Sequence, residues 1–210
     1  MIPMYERDLN SFRAVRAETL RLVQGLGQGQ LDFTPVAGKW SAGEVLDHLL
    51  LAEKLYRDLI AQLIDLSKAG RAPLIEKGFE DVNTSILFIP PSLLPFLSVP
   101  FTVLNMFVPD FVRQAMTKFR IMPVQRPDIA DPRKGRPGAE LRDDLRVSIA
   151  ATEALLAANR SLDYSRMRYR HPLTGDNNVL QVFRILANHE QRHQSQLKEI
   201  LNSKAFPKAA

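Results

Sequence analysis

Residues 40–63 have the sequence WSAGEVLDHLLLAEKLYRDLIAQL, which contains a complete helix start signal. Glu44 lies three residues after Ser41, so each side chain can bond a backbone N–H group that has no partner in the first helical turn. This capping box predicts a helix that begins after Ser41, and Gly70 and Pro73 mark its end. Apolar residues recur at helical spacing along one predicted inward face: Val45, Leu51, Ala52, Leu55, Leu59 and Leu63.

Three other stretches also have a helical period. The first covers about residues 4–24 and ends where several glycines follow. The third predicted helix begins near Gly138 and is rich in alanine, a strong helix former. The fourth follows residues 175–178, a Gly-Asp-Asn-Asn turn that offers a helix cap, and it ends before Pro207. Since no stretch shows clear strand alternation, the sequence predicts an all-α four-helix bundle, as a single domain over residues 1–210.

The connection between the second and third predicted helices, about residues 74–137, is too long for a bundle loop of roughly 2–8 residues. Val82 to Pro109 contains no charged residue, which raises the question of a membrane span, but five prolines interrupt it. We therefore expect an apolar, proline-rich insertion that packs on the bundle or on a second subunit; a membrane-surface element and a true span are the alternatives. Basic residues follow this segment: Arg113, Lys118, Arg120, Arg126, Arg133, Lys134 and Arg136. They are typical of a solvated basic loop, and the alternative is that they bind an anionic surface or an anionic substrate.

Composition limits the chemistry that the chain can perform. The 210 residues include no cysteine, which excludes a disulfide scaffold, a cysteine-ligated zinc site, an iron–sulfur cluster and a cysteine nucleophile. The formal net charge of +5 is too small to indicate nucleic acid as a partner, and no helix-turn-helix motif is recognisable. The N-terminal residues include Glu6 and Arg7 and have no apolar signal-peptide core, so we expect a cytoplasmic location.

Two of the four histidines belong to the segment His189-Glu190-Gln191-Arg192-His193. Residues four apart lie on one face of a helix, and here that face is apolar and predicted to point inward. His48 lies on the predicted inward face of the second helix. Because buried polar groups need partners, separate hydrogen bonds or one shared metal ion would satisfy the three imidazoles. We favour the metal, and predict a site formed by His48, His189 and His193.

The same segment formally matches the HExxH pattern of zinc proteases, in which the glutamate is the general base. Here that residue would be Glu190. No further ligand motif follows downstream, and His48 lies far upstream, so we do not favour a protease. The fourth histidine, His171, precedes a proline, which favours extended backbone; we expect it on a loop and not as a ligand.

Three segments in the expected order resemble the DinB/YfiT-like superfamily. They are KWSAGEVLDHL at residues 39–49, HPLTG at 171–175 and HEQRHQSQL at 189–197, and the resemblance covers about the first and last seventy residues. It implies a four-helix bundle, often a homodimer, with a divalent metal ion, commonly zinc or nickel, held by three histidines. By position these are His48, His189 and His193. Some relatives are transferases or isomerases that use low-molecular-weight thiols, and others are described as metal-dependent hydrolases.

Three imidazole ligands would leave open positions on such an ion. Water could be acidified there for hydrolysis, or a thiol could ionise, and the thiol would be a cosubstrate because the chain has no cysteine. Glu44, one turn before His48, is explained by the capping box, while Tyr56 and Arg192 have no assigned role, so the sequence names no catalytic base. We expect an enzyme, a hydrolase or a thiol-dependent transferase. A non-catalytic metal-binding stress-related protein and a membrane- or lipid-associated bundle are the alternatives.

Overall fold

Four long helices dominate the computed structural model, which describes residues 5–77, 131–171 and 175–208. The segment from Val82 to Pro109 and most of the predicted insertion lie outside the described residues. The helices are α1 (Glu6–Val23), the short α2 (Gln28–Leu31), α3 (Ala42–Lys68), α4 (Gly138–Ala158) and α5 (Val179–Leu201). The four predicted helices are confirmed. Among the helices described, none is both long and apolar enough to cross a membrane.

Local sequence signals set the ends of these helices. The Ser41 side chain accepts a hydrogen bond from the Glu44 N–H, and the Glu44 carboxylate accepts one from the Ser41 N–H at 2.9 Å, as the capping box predicts. Asn178 and Gln181 form the same reciprocal pair at the start of α5. Helix α3 ends before Gly70, whose φ of 68° lies in the left-handed region that favours glycine.

The four long helices form a closed bundle, in which α1 packs against α4 and α5, and α3 packs against the same two helices. The apolar core consists of two clusters, one at each end of the bundle. Phe12, Ile60 and Phe183 belong to one cluster, and Leu46 and Leu141 to the other. Between the two clusters each helix contributes a buried polar or charged residue, so that a polar layer crosses the middle of the bundle. The residues that define this layer are Arg16, Glu53, Thr152 and Glu190.

A small three-stranded sheet accompanies the bundle. It consists of β1 (Leu74–Glu76), β2 (Arg168–His171) and β3 (Gly175–Asn178). Strand β1 pairs with β2 in parallel, and β2 pairs with β3 in antiparallel orientation, so that β3 leads directly into α5. The predicted all-α four-helix class is confirmed, and the sequence did not predict these short strands because segments of three or four residues are too short to show strand alternation.

Two residue-level expectations also need correction. His171 does not lie on a loop: it is the last residue of β2 and pairs with Gly175. The helical period places Leu55 on the inward face of α3, but the structure shows that Leu55 is 41% exposed. The reason is that Glu53 occupies the inward position at this level, and a residue two positions further along a helix points to nearly the opposite side.

Candidate metal centre

The structure brings three of the four histidines together at one point of the bundle. His48 comes from α3, and His189 and His193 come from consecutive turns of α5. The Nε2 atom of His189 lies 3.2 Å from Nε2 of His48 and 3.2 Å from Nε2 of His193. The three candidate ligand atoms all lie within 4.8 Å of one another, and this cluster could hold a metal ion.

The spacing of the Nε2 atoms suits a shared cation better than hydrogen bonds between the rings. An Nε2 atom carries either one hydrogen or one lone pair, so His189 can form only one good hydrogen bond with its two neighbours. By contrast, nitrogen ligands about 2.0–2.1 Å from a tetrahedral zinc ion lie about 3.3 Å apart. The separations of 3.2 Å are close to that value.

The protein environment favours the neutral form of His189. His48 and His193 are buried, and His189 is half-buried. Burial lowers the pKa of His189 well below its ordinary value, and the positive charge that His193 or His48 would carry lowers it further. A neutral imidazole is the form that offers a lone pair to a metal, so burial favours the ligand state.

Trp40 packs against two of the three rings. Its ring centroid lies 4.7 Å from that of His48 and 6.0 Å from that of His193, with only 26° between the planes of Trp40 and His193. The capping box places it there, because Trp40 immediately precedes the cap residue Ser41. Sequence reasoning used Trp40 only as a family marker, and its contact with both rings is a finding of the structure.

Gln196 contacts the other edge of one candidate ligand. Its Oε1 atom lies 3.0 Å from Nδ1 of His193, one helical turn earlier on α5. Sequence reasoning missed this role, although the spacing of three residues on one helix was a visible signal.

Glu190, the general base of the zinc-protease alternative, has a different partner. Its two carboxylate oxygens accept hydrogen bonds from the Arg16 guanidinium, with distances of 2.9 Å from Nε and 3.0 Å from Nη2. Both side chains are almost completely buried. This two-pronged ion pair commits the carboxylate to the core and removes the residue that a protease mechanism would need.

Arg16 also joins the other helices of the polar layer. Its Nη1 donates to Oε2 of Glu53 at 2.9 Å and to the carbonyl oxygen of Leu145 at 2.8 Å, and the Thr152 hydroxyl donates to the second oxygen of Glu53. We call Arg16, Glu53, Thr152 and Glu190 the arginine network. The sequence alone does not predict this network, although Arg16 lies four residues after the apolar Phe12 and so on the same face of α1.

Two further acidic residues precede His48 and have structural partners. Glu44 caps α3 as expected, and the Lys134 ammonium lies 4.0 Å from its carboxylate. Asp47 is buried and accepts hydrogen bonds from the Arg133 N–H and the Arg136 guanidinium, both at 2.7 Å. Burial alone would raise the pKa of Asp47, but these hydrogen bonds outweigh it and lower the pKa. Asp47 thereby fastens the segment before α4 to α3.

Tyr56, for which the sequence predicts no role, does not exchange its proton near neutral pH. Burial raises its pKa to about 12. Its ring packs edge-on against Tyr169 beside one of the apolar clusters. Tyr56 therefore stays protonated and contributes to packing.

Comparison with known proteins gives a family match over most of the chain. A family model described as the DinB superfamily matches residues 11–197. The chain is 27% identical over 198 residues to the uncharacterized protein YuaE of Bacillus subtilis (strain 168), an alignment that covers 91% of this chain and 96% of that protein. No solved structure matches the chain. Since the family match covers most of the chain, including most of each long helix and the three clustered histidines, the chain belongs to the DinB superfamily.

Proposed function

We propose that this protein is a metal-dependent enzyme in which His48, His189 and His193 bind one divalent cation, zinc or nickel. The convergence of three Nε2 atoms from two helices supports this proposal more than any other observation. Imidazole nitrogen is a preferred ligand of both metals, and the chain has no cysteine that would favour a thiolate site.

The reaction that we propose is hydrolysis or the transfer of a low-molecular-weight thiol. A cation held by three protein ligands would keep open positions, where it would act as a Lewis acid and lower the pKa of a water molecule or of a small thiol. Trp40 would cover the His48 and His193 rings and limit the access of water to that side of the site.

A non-catalytic metal-binding role is the second candidate, and one observation favours it. Asp47 and Glu190 are adjacent in sequence to His48 and His189, and Glu44 lies one helical turn before His48. All three carboxylates form structural hydrogen bonds within the part of the chain that the structure describes. An enzyme of this kind would need its general base from the substrate, from solvent or from another residue.

Metal binding can be tested directly because Trp40 is the only tryptophan of the chain and packs against two proposed ligands. We expect Zn²⁺ or Ni²⁺ to change its fluorescence with an end point near one ion per chain, and elemental analysis to give the same ratio. His48→Ala and His193→Ala should abolish both results. His171→Ala, which removes the other histidine, is the matched control and should bind normally. One ion per chain in all three variants would refute the ligand assignment.

The two candidate functions differ in the coordination of the metal. We would replace the cation with Co²⁺ and follow its visible spectrum while adding glutathione or cysteine as a probe thiol. New sulfur-to-cobalt charge-transfer bands would show an open position and support a thiol-dependent enzyme. An unchanged spectrum, together with no hydrolysis of nitrophenyl ester probes, would favour the closed site of a non-catalytic protein.

We also propose that the protein forms a homodimer. The family resemblance supports this proposal, and so does the uncharged, apolar sequence from Val82 to Pro109, because a second subunit could shield an apolar surface from water. Light scattering at micromolar concentration should give twice the chain mass of 23.7 kDa. A monomer mass would contradict this part of the proposal.

A further inference from the structure

The His193 ring has two edges with different surroundings. Its Nε2 atom faces the histidine cluster, 3.2 Å from Nε2 of His189. Its Nδ1 atom faces the side-chain oxygen of Gln196 at 3.0 Å. His193 is buried and Gln196 is half-buried, so this contact is shielded from much of the competition of water.

The contact with Gln196 selects one of two forms of the neutral ring. A neutral imidazole carries its single hydrogen on either Nδ1 or Nε2. The Gln196 oxygen can only accept a hydrogen bond, so it favours the hydrogen on Nδ1. The lone pair is then left on Nε2, the atom that lies beside the other two histidines. The opposite form would direct an N–H group at His189.

We infer that Gln196 is a positioning residue that holds His193 in the Nδ1–H form and so prepares its Nε2 atom as a metal ligand. The metal part of this inference rests on the proposed function. The hydrogen position does not, because it is a property of the metal-free protein. The helix supplies the geometry, since residues three apart lie on the same face of α5 and their spacing is fixed by the backbone.

The first test measures the hydrogen position in the metal-free protein. Nitrogen-15 NMR of the histidine rings at pH 8 distinguishes the two neutral forms, and the His193 signals are assigned by their loss in His193→Ala. We expect the Nδ1–H form in the wild type and a mixture of both forms in Gln196→Met. Methionine has a similar length and helix propensity but offers no comparable acceptor, so the helix should be retained. Gln191→Met is the matched control on the same helix and should leave the His193 signals unchanged.

The second test measures the affinity for Zn²⁺ by competition with a chelator. Loss of the hydrogen-bond partner of a metal-ligating histidine typically weakens binding about 10–100-fold, and we expect Gln196→Met to fall in this range. Gln196→Glu restores an acceptor, so its affinity should return to that of the wild type or exceed it. Gln191→Met should bind like the wild type.

The outcomes separate this inference from the proposed function. The Nε2–H form in the metal-free wild type, which a reversed Gln196 amide would produce, would overturn the inference. So would unchanged Zn²⁺ affinity in Gln196→Met while the wild type binds one ion. Failure of the wild type to bind any divalent cation would instead refute the proposed function, and the NMR result would still decide the role of Gln196 in the hydrogen position.

Discussion

The bundle contains two neighbouring groups of buried polar residues, the arginine network and the histidine cluster, whose polar atoms are satisfied in different ways. In the arginine network, one guanidinium meets two carboxylates, and a hydroxyl and a backbone carbonyl complete the hydrogen bonds. In the histidine cluster, three imidazole rings direct their Nε2 atoms toward one point. The first group is complete with protein atoms alone, whereas the second is suited to an added cation. The comparison separates residues that hold the bundle together from residues available for function.

The largest effect should come from breaking the arginine network. Arg16→Met removes the two-pronged partner of the buried Glu190 and the closer partner of the buried Glu53, which keeps only Arg57 at 3.9 Å. Loss of one partner from a buried ion pair typically costs about 3–5 kcal/mol. We expect a decrease of this size in the free energy of unfolding, measured by urea denaturation. Arg21→Met on the same helix is the control. It removes an exposed pair with Glu18 and should change stability by less than about 1 kcal/mol. Similar losses in both variants would contradict the special role of the network.

The histidine cluster should behave in the opposite way, with an effect that depends on metal. At a free Zn²⁺ concentration one hundred times its dissociation constant, binding to the folded state alone adds about 2.7 kcal/mol to the free energy of unfolding. We expect His189→Ala to lose this gain and to differ much less from the wild type in the presence of a chelator. Thermal melting of the wild type and the variant, with Zn²⁺ and with a chelator, measures the stability gain from the metal and the difference that remains without it. Equal destabilisation under the two conditions would show that the cluster is structural, as the arginine network is.

Asp47 is a buried carboxylate that lies next to the proposed ligand His48 but is satisfied by protein hydrogen-bond donors, as the arginine network is. Hydrogen bonds to a charged group contribute about 1.5–3 kcal/mol, and we expect Asp47→Asn to destabilise the protein by this amount at pH 7. Because the folded state lowers the pKa of Asp47, its contribution is complete above the ordinary aspartate pKa of about 3.9. It is lost as the pH falls through the lower pKa of the folded state. Denaturation at several pH values measures this, with the exposed Asp58→Asn as control. A difference that persists in acid would refute the charge-based explanation.

The smallest effect should come from the helix start that places Trp40 and His48. Ser41→Ala removes the side-chain oxygen that accepts the Glu44 N–H, at a typical cost of about 1 kcal/mol. Ser67→Ala, near the other end of α3, should be neutral or slightly stabilising because alanine is the better helix former. Urea denaturation compares the two. Equal effects would indicate that the capping box does not fix this end of the helix.

Local signals in the sequence were sufficient to predict the helices and the group of histidines that approach one another. The Ser41 cap, the turn before Val179 and the four-residue spacing of His189 and His193 all act within one or two helical turns. The convergence with His48 followed from two apolar faces that had to meet in one core.

Features that depend on partners distant in the sequence could not be predicted in this way. The Arg16–Glu190 pair joins residues 174 positions apart, and charged residues are usually assigned to solvated faces. The three strands are stabilised by backbone pairing between distant parts of the chain, for example between Ile75 in β1 and Tyr169 in β2. Neither strand has an alternating apolar pattern that would predict it from the sequence. The helical period predicts a buried Leu55 because it counts only apolar residues as inward-facing. It does not show that the charged Glu53 is buried at this level of α3 while Leu55 is exposed.

The most direct test of the account is an anomalous-scattering crystal structure of the protein loaded with Zn²⁺. We predict one peak per chain, bonded to the Nε2 atoms of His48, His189 and His193 at about 2.0–2.1 Å, with at least one coordination position not filled by protein. A peak elsewhere, or a zinc-saturated crystal in which these three rings bond only to protein atoms, would contradict the central claim.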